Sequence, residues 1–287
     1  DDDRWLLSLP PAHVGGLSVI TRCLLARKTL VLGEGADAET LARDITTHQV
    51  TLASLVPTML YRLLATNWVP PAHLRVVLLG GAPASPSLCA KARGRGIPIA
   101  PTYGLTEACS QVATREPDTR DALDVGLPLS AIEVRLQDGV IQLRGEAMMD
   151  GYVGQAPLGN AWFSTGDLGC FDEAGRLVVL GRADDRIITG GENVDPQQVE
   201  LAFAEVSGLD EVCVFGVPDE EWGMRVAIAV VSSLTEDELR RALSSVSVAA
   251  YARPRVYARV DEMPRRGIGK RDRRALAQKV AERLIAL

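Results

Sequence analysis

Short apolar runs alternate with longer stretches of helical period along the first 120 residues. A short apolar run between turn residues predicts a buried strand, whereas apolar residues recurring every three or four positions predict a helix. Their alternation predicts a parallel sheet with helices packed on it. The predicted strands are Trp5–Leu9, Thr29–Leu32, Val50–Leu55, Arg75–Leu79 and Ile97–Ala100, and the predicted helices are Leu17–Leu25, Ala38–His48, a helix opened by Pro57, and a helix from Pro86 to Arg93.

The pattern changes near residue 121. Two apolar runs, Ile132–Leu136 and Val140–Leu143, flank Asp138-Gly139, a dipeptide typical of a two-residue hairpin turn. This spacing predicts a small antiparallel sheet. We therefore separate the α/β part of a large domain, at residues 1–120, from an antiparallel β subdomain at residues 121–183.

The remainder of the chain predicts a further small domain. Asp195-Pro196 begins one helix, and Thr235 with Glu238 forms a capping box for another. Strand-like runs lie between these helices, and Arg273–Leu287 has the pattern of an amphipathic final helix. The fold class expected is thus α/β for the large domain, followed by a C-terminal α+β domain at residues 184–287.

The composition indicates an ordinary hydrophobic core. The chain has 287 residues, of which 47% are apolar and 24% charged, and its net charge of −6 argues against nucleic acid or an anionic membrane as partner. Its three histidines and five cysteines are scattered, so they predict neither a zinc site nor a disulfide framework and favour the cytoplasm. No apolar run reaches the ~18 residues of a membrane span.

The charge is unevenly distributed. Residues 253–274 carry nine Arg or Lys against three acids, a local +6 that leaves −12 for the rest. Such a basic segment is either an ordinary solvated surface or a site for a polyanionic small molecule.

The segment Thr102–Glu107 carries the sharpest chemical signal. It follows a predicted strand, so it lies at the carboxyl edge of the sheet, where α/β proteins bind ligands. Gly104 allows close approach of the backbone, Thr106 offers a hydroxyl to a phosphate, and Glu107 offers a hard oxygen ligand to Mg²⁺. Tyr103 offers a ring for stacking on a base. Taken alone, the same residues also fit a plain turn with a capping Thr.

Two further segments combine glycines with charged residues. In Trp162–Leu168, Asp167 follows a glycine, so its carboxylate is either a ribose ligand or a turn residue. In Gly181–Asn193, Arg182 could meet phosphate or ribose, and the acids after it could form an interdomain joint. The alternative for this stretch is a polar linker with a glycine-rich turn.

The fourth segment is Gly267–Arg273, in which glycines flank Lys270 just before the last predicted helix. Such a loop could carry an ammonium group into an active site. Considered by itself, it is more typical of a solvated basic loop.

In this order and spacing, the four segments resemble the adenylate-forming superfamily of acyl- and aryl-CoA ligases, luciferases and peptide-synthetase adenylation domains. The resemblance covers essentially the whole chain and includes Pro10–Gly16, Leu55–Leu60 and Leu79–Pro83. Within it, Leu6–Pro10 and the compact His13 segment are most similar to o-succinylbenzoate–CoA ligase of menaquinone biosynthesis. The resemblance implies an ATP- and Mg²⁺-dependent ligase, in which an acyl-adenylate forms and CoA then takes the acyl group.

The resemblance also implies roles for individual residues. Thr106 would contact the α-phosphate, Glu107 would hold Mg²⁺, and Asp167 with Arg182 would meet the ribose. Lys270 would be the adenylation lysine of the C-terminal domain, and Asp184 would be the hinge about which that domain moves. The nucleotide and acyl pockets would be lined by Gly80, Gly81, Ala82, Thr102, Tyr103 and Gly104, with His13 at the acyl pocket and Gly191 along the pantetheine tunnel.

One family feature is missing from these residues. Members carry a Ser/Thr/Gly-rich loop with a lysine that cradles the β- and γ-phosphates, and its place precedes Asp1. Three explanations stay open: a fragment of a longer enzyme, a second polypeptide that supplies the loop, or a protein that binds nucleotide or acyl-CoA without turnover. The large domain is accordingly expected to be truncated.

The acyl substrate is the least determined feature. The resemblance favours o-succinylbenzoate, and benzoate or anthranilate is the alternative, because no arginine near the predicted pocket is committed to a second carboxylate. A carrier-protein thiol is the rival acceptor to CoA. The sequence leaves a homodimer open.

Overall fold

The structure is a computed structural model that describes residues 2–117, 124–266 and 270–287, with the backbone alone described at residues 266 and 270. Its contacts divide the chain into two compact units. The first comprises Asp1–Thr165 and Gly169–Val179, and the second comprises Gly166–Leu168 and Leu180–Leu287. This division lies close to the boundary predicted at residue 184, whereas the boundary predicted at residue 121 falls outside the described residues. The assignment to separate domains stays a prediction.

A parallel sheet forms the centre of the first unit. Its strands run in the order β2-β1-β3-β4-β5, with every neighbouring pair parallel. Helices connect successive strands, so the predicted α/β class is confirmed. The elements are β1 (Arg4–Leu7), α1 (Val14–Ala26), β2 (Thr29–Leu32), α2 (Ala38–Thr47), β3 (Leu52–Leu55), α3 (Pro57–Leu64), β4 (Val76–Leu79), α4 (Pro86–Gly94) and β5 (Ile99–Tyr103).

Two helices of this unit, α2 and α4, begin at side-chain caps. The Asp37 carboxylate accepts a hydrogen bond from the Thr40 amide at 2.9 Å, and the Ser85 hydroxyl accepts one from the Leu88 amide at 3.2 Å. Each cap satisfies an amide that the first helical turn leaves without an intrahelical partner. The core of the unit is formed by side chains that alternate along the strands and recur along the helices, including Leu6, Leu41, Ile45, Leu55, Leu60 and Leu63.

Strand β5 begins later than predicted and runs further. The prediction placed a strand at Ile97–Ala100, whereas β5 extends through Tyr103 and includes the start of the Thr102–Glu107 segment. The cause is an antiparallel partner, β6 (Ala113–Thr114), which itself pairs with β7 (Leu127–Pro128). A pattern along one strand does not reveal such pairing.

A second, antiparallel sheet follows, with strands in the order β11-β10-β9-β8. The predicted hairpin is confirmed: Asp138 and Gly139 have φ values of 52° and 77°, and a type I′ turn needs both residues left-handed. The long strand β10 was not predicted, because its residues had been interpreted as a turn motif. The bounds are β8 (Glu133–Gln137), β9 (Val140–Arg144), β10 (Phe163–Phe171) and β11 (Leu177–Arg182).

The second unit is built on a mixed sheet with strands in the order β13-β12-β15-β16-β19, and β14 also pairs with β15. The helix α6 connects β15 to its parallel neighbour β16, which gives the predicted α+β character. The elements are β12 (Ile187–Thr189), β13 (Glu192–Val194), α5 (Pro196–Phe203), β14 (Leu209–Asp219), β15 (Gly223–Ser232), α6 (Glu236–Ser245), β16 (Val256–Arg259), β17 (Arg265–Arg266), β18 (Lys270–Arg271), α7 (Arg273–Val280) and β19 (Ile285–Ala286).

The predicted final helix was wrong in its extent. The helix α7 ends at Val280, a 3-10 turn covers Ala281–Arg283, and Ile285 and Ala286 then pair antiparallel with β16. Edge strand β16 offers backbone groups that need partners, and pairing with the chain end satisfies them. The Arg240 guanidinium also donates to the Ala286 carbonyl at 3.0 Å, which holds the chain end against α6.

No described helix is long and apolar enough to cross a membrane. All five cysteines are free thiols.

The core of the second unit yields a stability prediction. Phe203 is 1% exposed among Val199, Val214 and Tyr257, so Phe203→Ala should lower the free energy of unfolding by about 3–5 kcal/mol through lost burial and a cavity. Tyr251 is 48% exposed, so Tyr251→Ala should change the free energy of unfolding by less than about 1 kcal/mol. Urea denaturation of both variants measures the difference, and equal losses would contradict this packing.

Candidate functional site

The carboxyl edge of the parallel sheet gathers the segments predicted to bind ligand. Parallel strands end at one edge, so the loops that follow β1, β4 and β5 lie along that edge. The loop after β1 leads to His13, the N-terminal cap position of α1. The turn after β4 holds Gly80, Gly81 and Ala82, and the segment after β5 holds Gly104 through Glu107.

Gly80 and Thr102 meet between β4 and β5. A Cβ at Gly80 would lie 2.8 Å from the Thr102 Cγ2, so a side chain there would displace the threonine. The Thr102 hydroxyl is 2.9 Å from both the Ala113 carbonyl and the Thr114 hydroxyl. Because β6 engages this hydroxyl, the methyl of Thr102 is the group that meets the β4 turn. Gly81 has φ 81°, a left-handed conformation that favours glycine.

Gly104 makes the tightest backbone approach in this region. A Cβ at Gly104 would lie 1.5 Å from the Ser110 carbonyl oxygen, so only glycine fits while the chain folds back between residues 104 and 110. The Ser110 hydroxyl lies 3.3 Å from the Ser18 hydroxyl in α1. This contact places the turn beside the start of the helix that His13 precedes.

Thr106 and Glu107 lie in a 3-10 turn, Thr106–Ala108, within this fold-back. The Tyr152 hydroxyl donates to Glu107 Oε1 at 2.7 Å, and the bond to the carboxylate raises the pKa of the tyrosine. Among the described residues, no ion pair engages Glu107. The tyrosine hydroxyl engages one oxygen of the Glu107 carboxylate, and the other oxygen is a hard ligand of the kind that Mg²⁺ prefers, so Glu107 fits a Mg²⁺ ligand.

In the second unit, Arg182 joins two carboxylates. Its Nη1 lies 3.1 Å from Asp167 Oδ1, and its Nε lies 2.9 Å from Asp184 Oδ1. The hydrogen bond from Arg182 holds the pKa of Asp184 below its ordinary value. The Asp184 side chain is 70% exposed and lies in the 3-10 turn Ala183–Asp185 that follows β11. The structure therefore brings together the predicted ribose ligand, its arginine and the predicted hinge.

Gly191 lies in a tight hairpin that the sequence analysis missed. Thr189 pairs with Glu192, and Gly190 and Gly191 between them have φ values of 58° and 84°. This is the geometry of a type I′ turn, for which Gly-Gly is a known signal that the polar-linker interpretation overlooked. A Cβ at Gly190 would lie 2.7 Å from the Trp222 ring, so that ring covers the turn.

Next to this hairpin the second unit contains a cavity of about 310 Å³ that is rich in arginine, although one of its arginines, Arg225, pairs with Asp219. Arg225, Arg253 and Arg255 line it together with two aromatic rings, Trp222 and Tyr251, that are each about half exposed. Guanidinium groups recognise phosphates, and aromatic rings stack on bases. The cavity therefore has the chemistry to hold a phosphorylated nucleotide. The uneven charge of residues 253–274 was the only signal for it in the sequence.

Lys270 opens β18, which pairs antiparallel with β17 so that Lys270 faces Arg266. The predicted glycine loop, residues 267–269, lies outside the described residues, as does the side chain of Lys270.

A three-donor cluster in the first unit has a structural explanation. Glu34, Asp44 and His48 each offer an atom within 4.8 Å of the others. However, Asp44 accepts from the Glu34 amide at 2.9 Å, and Glu34 pairs with Arg43 at 2.7 Å. These bonds close the loop between β2 and α2.

Comparison with known proteins finds two matching family models and relatives that align with nearly the whole chain. The AMP-binding enzyme family matches residues 1–153, and the AMP-binding enzyme C-terminal domain matches residues 198–270. A 2-succinylbenzoate–CoA ligase of Bacillus pumilus is 36% identical, with 97% of this chain and 61% of the relative covered. A ligase of the same name from Listeria monocytogenes is 34% identical, with 97% and 62% covered.

Solved structures give the same result. The o-succinylbenzoate CoA synthetase of Bacillus subtilis, in complex with the acyl-adenylate intermediate, matches with a TM-score of 0.86 at 33% identity, over 94% of this chain and 60% of that one. Its complex with ATP and magnesium matches with a TM-score of 0.86 at 32% identity, over 96% and 62%. The chain thus spans less than two thirds of the length of these relatives.

The Gly104 turn gives a test of this geometry. Gly104→Ala should lower the free energy of unfolding by about 1–3 kcal/mol or more, because the Ser110 carbonyl must move. Gly94→Ala is the matched control, since its Cβ would meet nothing within 4 Å at the end of α4, and it should leave stability unchanged or raised. Urea denaturation measures both, and a neutral Gly104→Ala would disprove the close approach.

Proposed function

Because the chain belongs to the AMP-binding enzyme family, we propose that the protein is an ATP-dependent carboxylic acid–CoA ligase that acts through an acyl-adenylate. The observation that carries this proposal is the fold-back at Gly104, which sets Thr106 and Glu107 at the carboxyl edge of the sheet. A hydroxyl and a carboxylate at that edge suit the phosphate and the metal of an Mg²⁺–nucleotide complex.

In the first step an oxygen of the substrate carboxylate attacks the α-phosphorus of ATP, and the bond from that phosphorus to the bridging oxygen of pyrophosphate breaks. Two anions must approach each other, so fixed positive charge and positioning supply most of the catalysis. We assign the metal ligand to Glu107, the α-phosphate contact to Thr106 and the mobile positive charge to Lys270. Bound Mg²⁺ would neutralise charge on the phosphates.

Asp167 and Arg182 are proposed to hold the ribose. Asp167 Oδ1 accepts a hydrogen bond from Arg182 Nη1 at 3.1 Å, which orients the carboxylate that we assign to a sugar hydroxyl. The bond from Arg182 to Asp184 couples this site to the turn proposed as the hinge. Rotation about Asp184 would withdraw Lys270 after adenylation, as hinge motions in other enzymes complete a second site.

In the second step a thiol attacks the acyl carbon, and AMP leaves. CoA is the acceptor that we propose, because a cavity lined by three arginines and two aromatic rings suits its phosphorylated adenosine. Gly191, in the hairpin beside that cavity, would border the pantetheine arm. A carrier protein would not need such a nucleotide cavity.

The acid is proposed to be o-succinylbenzoate. The relatives named above act on this acid, and they match nearly the whole of this chain at about one third identity. Gly81, Ala82, Thr102 and His13 are the residues that we assign to its pocket.

The test is acid-dependent release of pyrophosphate from ATP and Mg²⁺, with o-succinylbenzoate, benzoate, anthranilate and octanoate compared in parallel. We expect release with o-succinylbenzoate to exceed release with the other acids at least tenfold. Release with benzoate or anthranilate alone would keep the reaction and change the substrate. Nucleotide binding without release from any acid would instead indicate a binding protein.

Lys270→Ala should separate the two half-reactions. Without the ammonium group, adenylation should fall by about 10²-fold or more, because a fixed charge at the developing negative charge is lost. Thioester formation from supplied acyl-adenylate should stay within about twofold, because Lys270 is withdrawn in that step. Arg266→Ala removes a positive charge from the opposite strand of the same hairpin, and it is therefore the control for the loss of charge alone. Equal loss of both half-reactions in Lys270→Ala would contradict the assignment.

A further inference from the structure

The strand that carries Lys270 belongs to a very small sheet. β17 and β18 pair through only two residues each, Arg265 with Arg271 and Arg266 with Lys270. So short a hairpin is marginal by itself and needs contacts from elsewhere to hold one position. The position of Lys270 must therefore depend on what anchors β17 and β18 to the rest of the second unit.

The main anchor is a buried carboxylate, Glu200 in α5. Its residue is 6% exposed, and its Oε1 accepts from the Val214 amide at 2.8 Å and from the Arg273 guanidinium. The Glu200 Oε2 lies 3.6 Å from Arg271 Nη2. Two arginines, one and three residues beyond Lys270, thus converge on one carboxylate.

Both arginines also donate to the backbone of β14. Arg273 donates to the Val214 carbonyl at 2.8 Å, and Arg271 donates to the Val212 carbonyl. Burial is the largest influence on Arg273 and lowers its pKa, but Glu200, Cys213 and Asp185 together outweigh it and raise that pKa above its ordinary value. Burial, and then the same carboxylate, raise the pKa of the neighbouring Cys213 thiol to about 11, so the thiol stays neutral.

The other strand of the hairpin is fixed to the same element. Arg265 in β17 pairs with Glu211 in β14 at 2.6 Å, and the Asp272 amide donates to the Pro264 carbonyl at 2.8 Å. The Arg265–Glu211 pair is partly exposed and therefore contributes little. Glu200, in contrast, is itself buried and pairs with both Arg271 and Arg273, whereas Asp185, in the part of the chain that the structure describes, pairs with Arg273 alone, at 3.3 Å. Loss of a buried partner is strongly destabilising, so Glu200 is the shared anchor of the two arginines.

We propose that Glu200 is a positioning residue for adenylation: by holding Arg271 and Arg273, it fixes the strand from which Lys270 acts. This inference rests on the proposed function, since it assigns a use to the lysine of that reaction. Glu200 is 6% exposed, so we assign it an effect through these arginines and not a contact with nucleotide or acid. Its substitution should affect the step that needs Lys270 in place and leave the other step unchanged.

The test variant is Glu200→Gln, which keeps an acceptor for the Val214 amide and removes only the charge that holds the arginines. A displacement of about 1 Å can cost about 10²-fold in rate, so we expect pyrophosphate release to fall ten- to hundredfold, mainly in kcat. Thioester formation from supplied acyl-adenylate should change less than twofold. Glu205→Gln, an exposed glutamate just beyond α5, is the matched control and should leave both rates unchanged.

A double-substitution cycle separates this proposal from the proposed function. If Glu200 acts through Lys270, Glu200→Gln should cause no further loss of the residual adenylation rate in a Lys270→Ala background. Additive losses, or equal losses in both half-reactions, would overturn the positioning role. A Lys270→Ala variant with normal adenylation would instead refute the role given to the lysine.

Amide hydrogen exchange gives a readout that does not depend on turnover. In the protein, Glu200→Gln should speed exchange at least tenfold for residues 264–266 and 270–274, while β15 keeps its protection. Unchanged exchange in that segment would show that Glu200 does not hold the hairpin. Faster exchange throughout the second unit would show a merely structural role.

Discussion

The close approach of the Gly104 backbone to the Ser110 carbonyl is the constraint on which the site of the first unit depends. A Cβ at residue 104 would lie 1.5 Å from that oxygen, so the chain can reverse here only with glycine. The reversal follows a strand that β6 keeps extended, and it leads directly into the turn with Thr106 and Glu107. A short-range backbone contact therefore places a hydroxyl and a carboxylate at the ligand edge of the sheet.

The role proposed for Lys270 sets a different requirement in the second unit, which is to present a cation in one position. A lysine on a mobile loop would lose much conformational freedom on reaching a phosphate. Here the lysine begins a strand, and the arginines that follow it converge on buried Glu200. The basic residues of the segment 253–274 are thus not merely a solvated surface. Arg271 and Arg273 belong to this anchor, whereas Arg253 and Arg255 line the cavity.

The fold was largely predictable from sequence because local signals agreed with it. Buried strands, helix caps and the Asp138-Gly139 turn each appear in residues close together in the chain. Two of the errors share one cause, which is pairing between distant segments. The strand β5 extends to Tyr103 because of β6, and the chain end leaves its helix to pair with β16. The hydrogen bond from Tyr152 to Glu107 and the arginine-lined cavity also join residues that lie far apart in the chain, so a local pattern does not indicate them.

The most direct test of the account uses o-succinylbenzoate labelled with ¹⁸O in its carboxyl groups, together with ATP, Mg²⁺ and CoA. If the carboxylate attacks the α-phosphorus, one labelled oxygen stays on that phosphorus when the thiol displaces AMP. Mass spectrometry should then find one ¹⁸O in each AMP and none in pyrophosphate. Unlabelled AMP, or label in inorganic phosphate, would contradict an acyl-adenylate and with it the role of the site at Gly104.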